Sequence, residues 1–242
     1  MRTAHILVWD LPTRVFHWLL VLSFFGAYFS GDADGYRTLH VLLGYTAAGL
    51  VAFRLVWGVL GTRWARFSGF IFNIGKAAGY ARSLLRAAPL HFTGHNPLGS
   101  WAVLGLLLLI AFSCATGIAL YLEVGGDAFE DVHEVASNAA LALVVLHIFA
   151  AIGSSFLHRE NLVRAMLTGY KRGEPDEAAA GLRPLVALAL VGAVAAFWSG
   201  AFTAPGMRHN PGLIAALTQP DAEAADERER RGRRRGRERE RR

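Results

Sequence analysis

The 242-residue chain has a single cysteine, Cys114, and no CxxCH motif. A disulfide framework, a cysteine zinc site and covalent c-type haem attachment are therefore excluded together. Charge is also scarce: 18% of residues are Asp, Glu, Lys or Arg, against 53% hydrophobic, a balance that points to an integral membrane protein. The formal net charge of +6 does not signal nucleic-acid binding. Eleven of the 25 basic and seven of the 19 acidic residues lie beyond residue 202, leaving 14 basic and 12 acidic groups elsewhere and no excess of one sign for a phosphate backbone. The small-residue site that ends a cleavable leader is missing ahead of Asp32, so the first apolar run reads as a retained helix.

What the sequence has in abundance is long apolar runs. Four of them, roughly 13–30, 38–60, 98–122 and 132–157, approach or exceed the ~20 residues that cross ~30 Å of hydrocarbon as an α-helix. A fifth, 183–202, is shorter. The N-terminus, the loop 61–97 and the segment after residue 157 together hold twelve basic residues. The opposite loops hold only Arg37, beside Asp32, Asp34, Glu123, Asp127, Glu130 and Asp131. The positive-inside rule then puts the N-terminus in the cytoplasm and the acidic loops outside. Residues 64–90 interleave apolar and basic side chains and predict an amphipathic helix on the cytoplasmic surface. Asn96 and Pro97 predict an N-cap and first helical position for the third span. The Arg/Glu-rich stretch 203–242 is expected to be disordered. The expected fold is an all-α integral membrane protein: a four-helix transmembrane bundle over 1–173 with a fifth transmembrane helix over 183–202.

Histidines inside membrane spans are costly and usually have a task. The sequence places four there: His17, His40, His133 and His147. Fourteen residues is close to four helical turns, so His133 and His147 share a face about 21 Å apart along the axis and cannot serve one site. Matching depths pair His40 with His133 near the outer surface and His17 with His147 near the inner one. Two stacked imidazole pairs in a four-helix bundle are what two b-type haems, each held non-covalently by two histidines, require. Between the ligands the last span shows Ala136, Ser137, Ala140 and Val144, mostly small enough for a flat macrocycle to approach, and Gly44 offers the same relief one turn after His40. Haem propionates need cations. Arg37 is one turn before His40, Arg14 is near His17, and Arg54, fourteen residues after His40, lies at the depth of His147. Arg14 reads equally well as a topology anchor. His95 and His158 read as ordinary interfacial residues, with a role for His158 beside the inner haem or a quinone pocket as the alternative. His5, His91 and His209 read as surface residues.

These residues resemble the bacterial cytochrome b561 family, which includes the cytochrome b subunits of nickel-iron hydrogenases. The resemblance rests on "VWDLPTRVFHWLL", "RTLHVLLGYTAAGLVAFRLVWGVLG", "GHNPLG", "VHEVASNAALALVVLHIF" and "NLVRAMLTGYKR", over residues 5 to about 173. It implies a di-haem carrier with His17, His40, His133 and His147 as axial ligands, exchanging electrons between quinone and a partner protein. The fifth run and the tail are not explained by it.

The expectation is an electron conduit across the bacterial inner membrane, with both irons six-coordinate and closed to oxygen or substrate. Its candidate partners are membrane lipid, quinone or quinol, and a periplasmic redox protein such as hydrogenase or a c-type cytochrome, with homodimer formation open. The acidic outer loops fit a basic redox partner or a plain solvated surface equally well. The rival readings are a haem-free histidine transporter or proton relay, disfavoured because no carboxylate lies between His133 and His147, and an anchor subunit for a periplasmic enzyme.

Overall fold

The computed structural model describes residues 4–69, 74–86, 90–124, 126–207 and 209–218. Four long helices form the bundle: α1 (Leu11–Gly31), α2 (Arg37–Leu60), α4 (Pro97–Tyr121) and α5 (Asp127–Leu157). Among the described residues three helices, α2, α4 and α5, have both the length and the apolarity to cross a membrane. The 21-residue α1 has the length but carries Arg14, His17 and two serines.

Capping explains the starts. Asp10 caps α1 by accepting from Thr13 N at 2.9 Å, and Pro12 sits in its first turn. Asn96 caps α4 through Gly99 N at 2.7 Å with Pro97 in the first position, as the sequence predicts. The buried Asp10 carboxylate also accepts from Trp57 Nε1 (3.1 Å) and Thr62 Oγ1 (2.7 Å), locking the start of α1 to the end of α2. At Gly26 a Cβ would lie 2.5 Å from Leu43 Cδ1, so a larger residue there would have to push the Leu43 side chain aside.

The helix α5 starts five residues before the predicted 132, at Asp127, with Gly126 (φ +62°) as its N-cap. Its 31 residues extend to about 46 Å, longer than the hydrocarbon. The extra turns carry Glu130 and Asp131, which favour a helix N-terminus but hide it from hydropathy.

Four other features depart from expectation. The interfacial segment 64–90 is a short helix, α3 (Ile74–Leu85), preceded by one 3-10 turn at Phe67–Gly69, with Ala77 and Tyr80 buried and Lys76 and Arg82 exposed. Residues 70–73 and 87–89 of that prediction lie outside the described residues. A two-stranded ribbon pairs β1 (Ala4–Leu7) antiparallel with β2 (Tyr170–Gly173), just after α6 (Leu162–Thr168). It ties the chain's start to the segment after α5, on what we call the inner end. The fifth transmembrane helix over 183–202 is instead α7 (Pro184–Trp198), whose 15 residues extend to about 22 Å, short of the hydrocarbon. It packs along α1 and reaches the outer half of α2, where Phe197 joins Leu39, Leu42 and Leu43, and Trp198 Nε1 donates to Thr46 Oγ1 at 2.9 Å. Finally, residues 203–207 and 209–218 are not disordered. Asn210 Nδ2 donates to Phe197 O (2.8 Å) and Phe202 O (2.7 Å), and Ala216 of α8 (Leu213–Thr218) packs on α2. The disorder expected for 219–242 falls outside the described residues.

Candidate functional site

At the outer end His40 of α2 and His133 of α5 face each other, ring centroids 5.9 Å apart and planes at 87°. Each imidazole is held by a backbone carbonyl of the neighbouring helix: His40 Nδ1 lies 2.8 Å from Ala27 O, and His133 Nδ1 lies 2.9 Å from Ser113 O. A carbonyl only accepts, so both Nδ1 atoms carry the proton and both Nε2 atoms are bare donors to a metal. The centroid separation matches two metal–nitrogen bonds of about 2 Å each plus the ring halves. Among the described residues no group of three or more His, Cys, Asp or Glu converges as a metal centre. A pair of imidazoles alone suits an ion that brings its own in-plane nitrogens, as haem iron does.

Space for such a group is present. Both histidines line a cavity of about 710 Å³, with Gly44, Ala47, Ser137 and Gly117 among its walls and Arg37 at its rim. The room arises because α5 packs mainly on α4 while α1 packs on α2. Besides the facing imidazoles, a hydrogen bond crosses the seam at this level, Tyr28 OH donating to Asn138 Oδ1 at 2.7 Å. Nothing in the sequence marks Gly117, yet a Cβ there would stand 2.9 Å from His133 Cε1, so its bare backbone is the ring's seat.

At the inner end His17 and His147 come within electrostatic reach of one another. The His17 Nδ1 atom is buried with no hydrogen-bond partner among the described residues, an orphan polar atom that a bound group would relieve. Arg54 is 3% exposed, with its guanidinium 4.7 Å above the Phe67 ring. The carboxylate whose charge reaches it is Asp10, so a haem propionate is not the sole anion available to it. Arg14 donates to Leu167 O at 2.6 Å, which favours its anchoring role between α1 and α6.

Two further inner histidines, His158 and His95, differ from one another. His158, at the end of α5, has Nε2 3.0 Å from Tyr80 OH and stacks on that ring, which ties α3 to the bundle. His95, expected at the interface, instead packs edge-on against Trp9 at 4.7 Å and feels the charges of Arg54 and Lys171. Between the outer and inner pairs Val51, Ile110 and Ala140 form an apolar layer flanked by Leu20 and Phe24.

These features define a helical membrane bundle with imidazole pairs at two depths, the outer pair opening on a cavity. The family model of prokaryotic cytochrome b561 matches residues 8–169, and the chain belongs to that family. It is a b-type cytochrome, a bacterial membrane protein that binds b haem and transfers electrons. Among similar proteins, the "Probable Ni/Fe-hydrogenase B-type cytochrome subunit" of Rhodobacter capsulatus is 26% identical over 221 residues, covering 72% of this chain and 84% of its own. The protein of the same name from Cupriavidus necator is 26% identical over 212 residues, 68% of this chain and 86% of its own. The "Probable Ni/Fe-hydrogenase 1 B-type cytochrome subunit" of Escherichia coli K12 is 24% identical over 211 residues, 68% and 89% of the two chains. No solved structure matches the chain.

Proposed function

We propose that the chain is a di-haem conduit that carries electrons across the inner membrane between the quinone pool and a periplasmic partner of the hydrogenase kind. The observation that carries this reading is the outer site: two imidazoles 5.9 Å apart, each with Nδ1 fixed by a carbonyl, opening on a haem-sized cavity. His40 and His133 hold the outer haem, with Arg37 at its propionates. His17 and His147 hold the inner one, with Arg54 near its propionates and Arg14 bracing the helix that carries His17. Bound haem supplies one-electron cycling of its iron between the ferrous and ferric states.

The chain's own residues do the rest. The carbonyls of Ala27 and Ser113 fix tautomer and ring plane, so the ligands do not rearrange when the electron arrives. Val51, Ile110 and Ala140 keep the layer between the sites dry, which passes electrons and blocks ions. The same layer argues against a proton relay, which needs polar groups or water along its path. The charge distribution supports a cytoplasmic N-terminus and hence an outer haem toward the periplasm. The names of the similar proteins support hydrogenase as the partner, with a soluble c-type cytochrome as the alternative.

The test is a dithionite-reduced minus oxidised spectrum of the purified protein, with haem counted per chain. Two b haems unreactive to carbon monoxide are expected. In His147→Ala one haem is expected to remain, and quinone-linked turnover to be lost while the partner stays bound and active with dyes. A folded, haem-free protein from a haem-replete host sinks the proposal.

A further inference from the structure

The two outer imidazoles are not held alike. Among the described residues His40 Nδ1 meets one acceptor, Ala27 O at 2.8 Å. His133 Nδ1 meets two oxygens, Ser113 O at 2.9 Å and Thr116 Oγ1 at 3.2 Å. Thr116 is buried, 4% exposed, and lies in α4 beside Gly117, whose bare backbone seats the same ring. A single turn of α4 thus offers a carbonyl, a hydroxyl and a gap to one side chain of α5. Support from several directions is what a positioned functional group needs.

The proton inventory assigns the roles. Ser113 O only accepts, so Nδ1 carries the proton and the Thr116 hydroxyl has nothing to donate to there. Its own proton returns to α4, where Phe112 O lies at 3.1 Å and Ser113 O at 3.0 Å. An oxygen lone pair is left facing the imidazole N–H. Back-bonding by a helical threonine is ordinary, and Ser30 shows it alone: its Oγ lies 2.7 Å from Gly26 O and 3.1 Å from Ala27 O, with no hydrogen bond to His40 among the described residues. Thr116 does the same and reaches a ligand ring as well. Ser113 O has only two lone pairs and, as an α-helical carbonyl, spends one on the amide four residues on. A second acceptor beside it therefore adds to what the N–H can find.

We propose that Thr116 is a positioning residue of the outer site: its hydroxyl oxygen shares the His133 Nδ1–H with Ser113 O, fixes the ring plane and lowers the midpoint potential of the outer haem. The proposal rests on the reading of His40 and His133 as that haem's ligands. An acceptor on Nδ1–H raises the basicity of the other ring nitrogen, and a more basic axial ligand favours the ferric charge. Thr116 itself touches no cofactor.

Two substitutions in the full chain separate oxygen from shape. Thr116→Val keeps the branched outline and has no oxygen, whereas Thr116→Ser keeps the hydroxyl and loses the methyl group. The measurements are haem per chain and both midpoint potentials by optical titration, with the His147→Ala background, where the outer site alone remains, assigning the outer one. In Thr116→Val the outer potential is expected to shift positive by about threefold in the ferric–ferrous equilibrium, or about 28 mV at about 59 mV per tenfold for one electron. The inner potential should stay unchanged, and Thr116→Ser should restore the unsubstituted value. Unchanged potentials in Thr116→Val overturn the proposal. A negative shift overturns it too, because the hydroxyl would then be a donor that weakens Ser113 O as an acceptor. Equal shifts in Thr116→Val and Thr116→Ser do the same by marking packing alone. If His133→Ala still holds two haems, the outer-ligand reading itself has failed, whatever Thr116 does.

Discussion

Substituting Gly117 by alanine isolates one contact in the outer site. The added Cβ would stand 2.9 Å from His133 Cε1 and 3.2 Å from Nδ1, against about 3.5–4.0 Å for an unstrained carbon contact. The ring must retreat from α4 by several tenths of an ångström. That movement stretches its 2.9 Å bond to Ser113 O toward the limit of a useful hydrogen bond. Overpacking of this kind costs about 1–3 kcal/mol, or roughly 5- to 150-fold in affinity when it falls on a bound ligand. Helix propensity acts in the opposite direction: Gly→Ala inside a helix gains up to about 1 kcal/mol. Gly117→Ala should therefore melt no earlier without haem yet bind outer haem more weakly, a combination that general destabilisation does not produce. Haem titration into the His147→Ala background, where the outer site alone remains, reads the affinity directly. Gly49→Ala is the control, since nothing lies within 4 Å of its Cβ and only the propensity gain should appear. Equal outer-haem affinity in Gly117→Ala and Gly49→Ala would refute the reasoning.

Asp10→Ala removes an N-cap and the acceptor of two buried donors, and should destabilise the haem-free protein by about 3 kcal/mol or more; a thermal shift worth under 1 kcal/mol would contradict the lock between α1 and α2. Trp198→Phe removes the bond to Thr46 and should cost about 1 kcal/mol, read as faster proteolysis within 199–218 with haem content unchanged. His95 is held at about 3 against an ordinary 6.5. Below pH 6.5 the unfolded chain therefore binds a proton that the folded, haem-free chain refuses. Stability should fall as pH drops from 6.5 toward 5, by no more than about 1.4 kcal/mol per unit from this group. His95→Gln should flatten that slope, and an identical slope in the variant would refute the assignment.

The bundle and the outer site were largely legible because membrane spans and intramembrane histidines leave strong signals. Hydropathy alone separated four helices, and the fourteen-residue spacing gave two depths. What escaped detection follows rules that hydropathy does not read. The start of α5 was hidden by its own carboxylates. The four-residue strand Ala4–Leu7 has no pattern of its own until Tyr170–Gly173 supplies its partner. The folded segment beyond residue 202 is held by Asn210, which bonds two carbonyls eight and thirteen residues back in the chain, and by the docking of Ala216 on α2. Gly117 looked like any helical glycine, and its meaning depends on a ring from another helix. Asp10 and His95 were misread or missed because their burial is set by residues tens of positions away.

The open seam has a thermodynamic consequence. In α5 the residues that bury themselves fully are Ala136 and Ala140, while its long side chains, among them Val145, Leu146, Phe149 and Phe156, face outward. Lipid is as apolar as those side chains, so no hydrophobic force closes α5 onto α1 and α2. The bridges across the outer half are Tyr28 to Asn138 and the facing imidazoles. Haem bound between His40 and His133 would join α2 to α5 directly, and a ligand that binds only the closed bundle stabilises it by RT ln(1 + [L]/Kd), about 4 kcal/mol at a thousandfold excess over Kd. Hydrogen exchange in detergent should therefore slow on haem addition, and most strongly in α5, whereas α1 and α2, already locked through Asp10, should change little. If protection rose equally in all four helices, the haem-free protein would be an unassembled bundle instead of two preformed helix pairs. If it rose in none, the cavity would be a rigid mould that α4 alone maintains, and the imidazole pair would contribute nothing to holding the bundle shut.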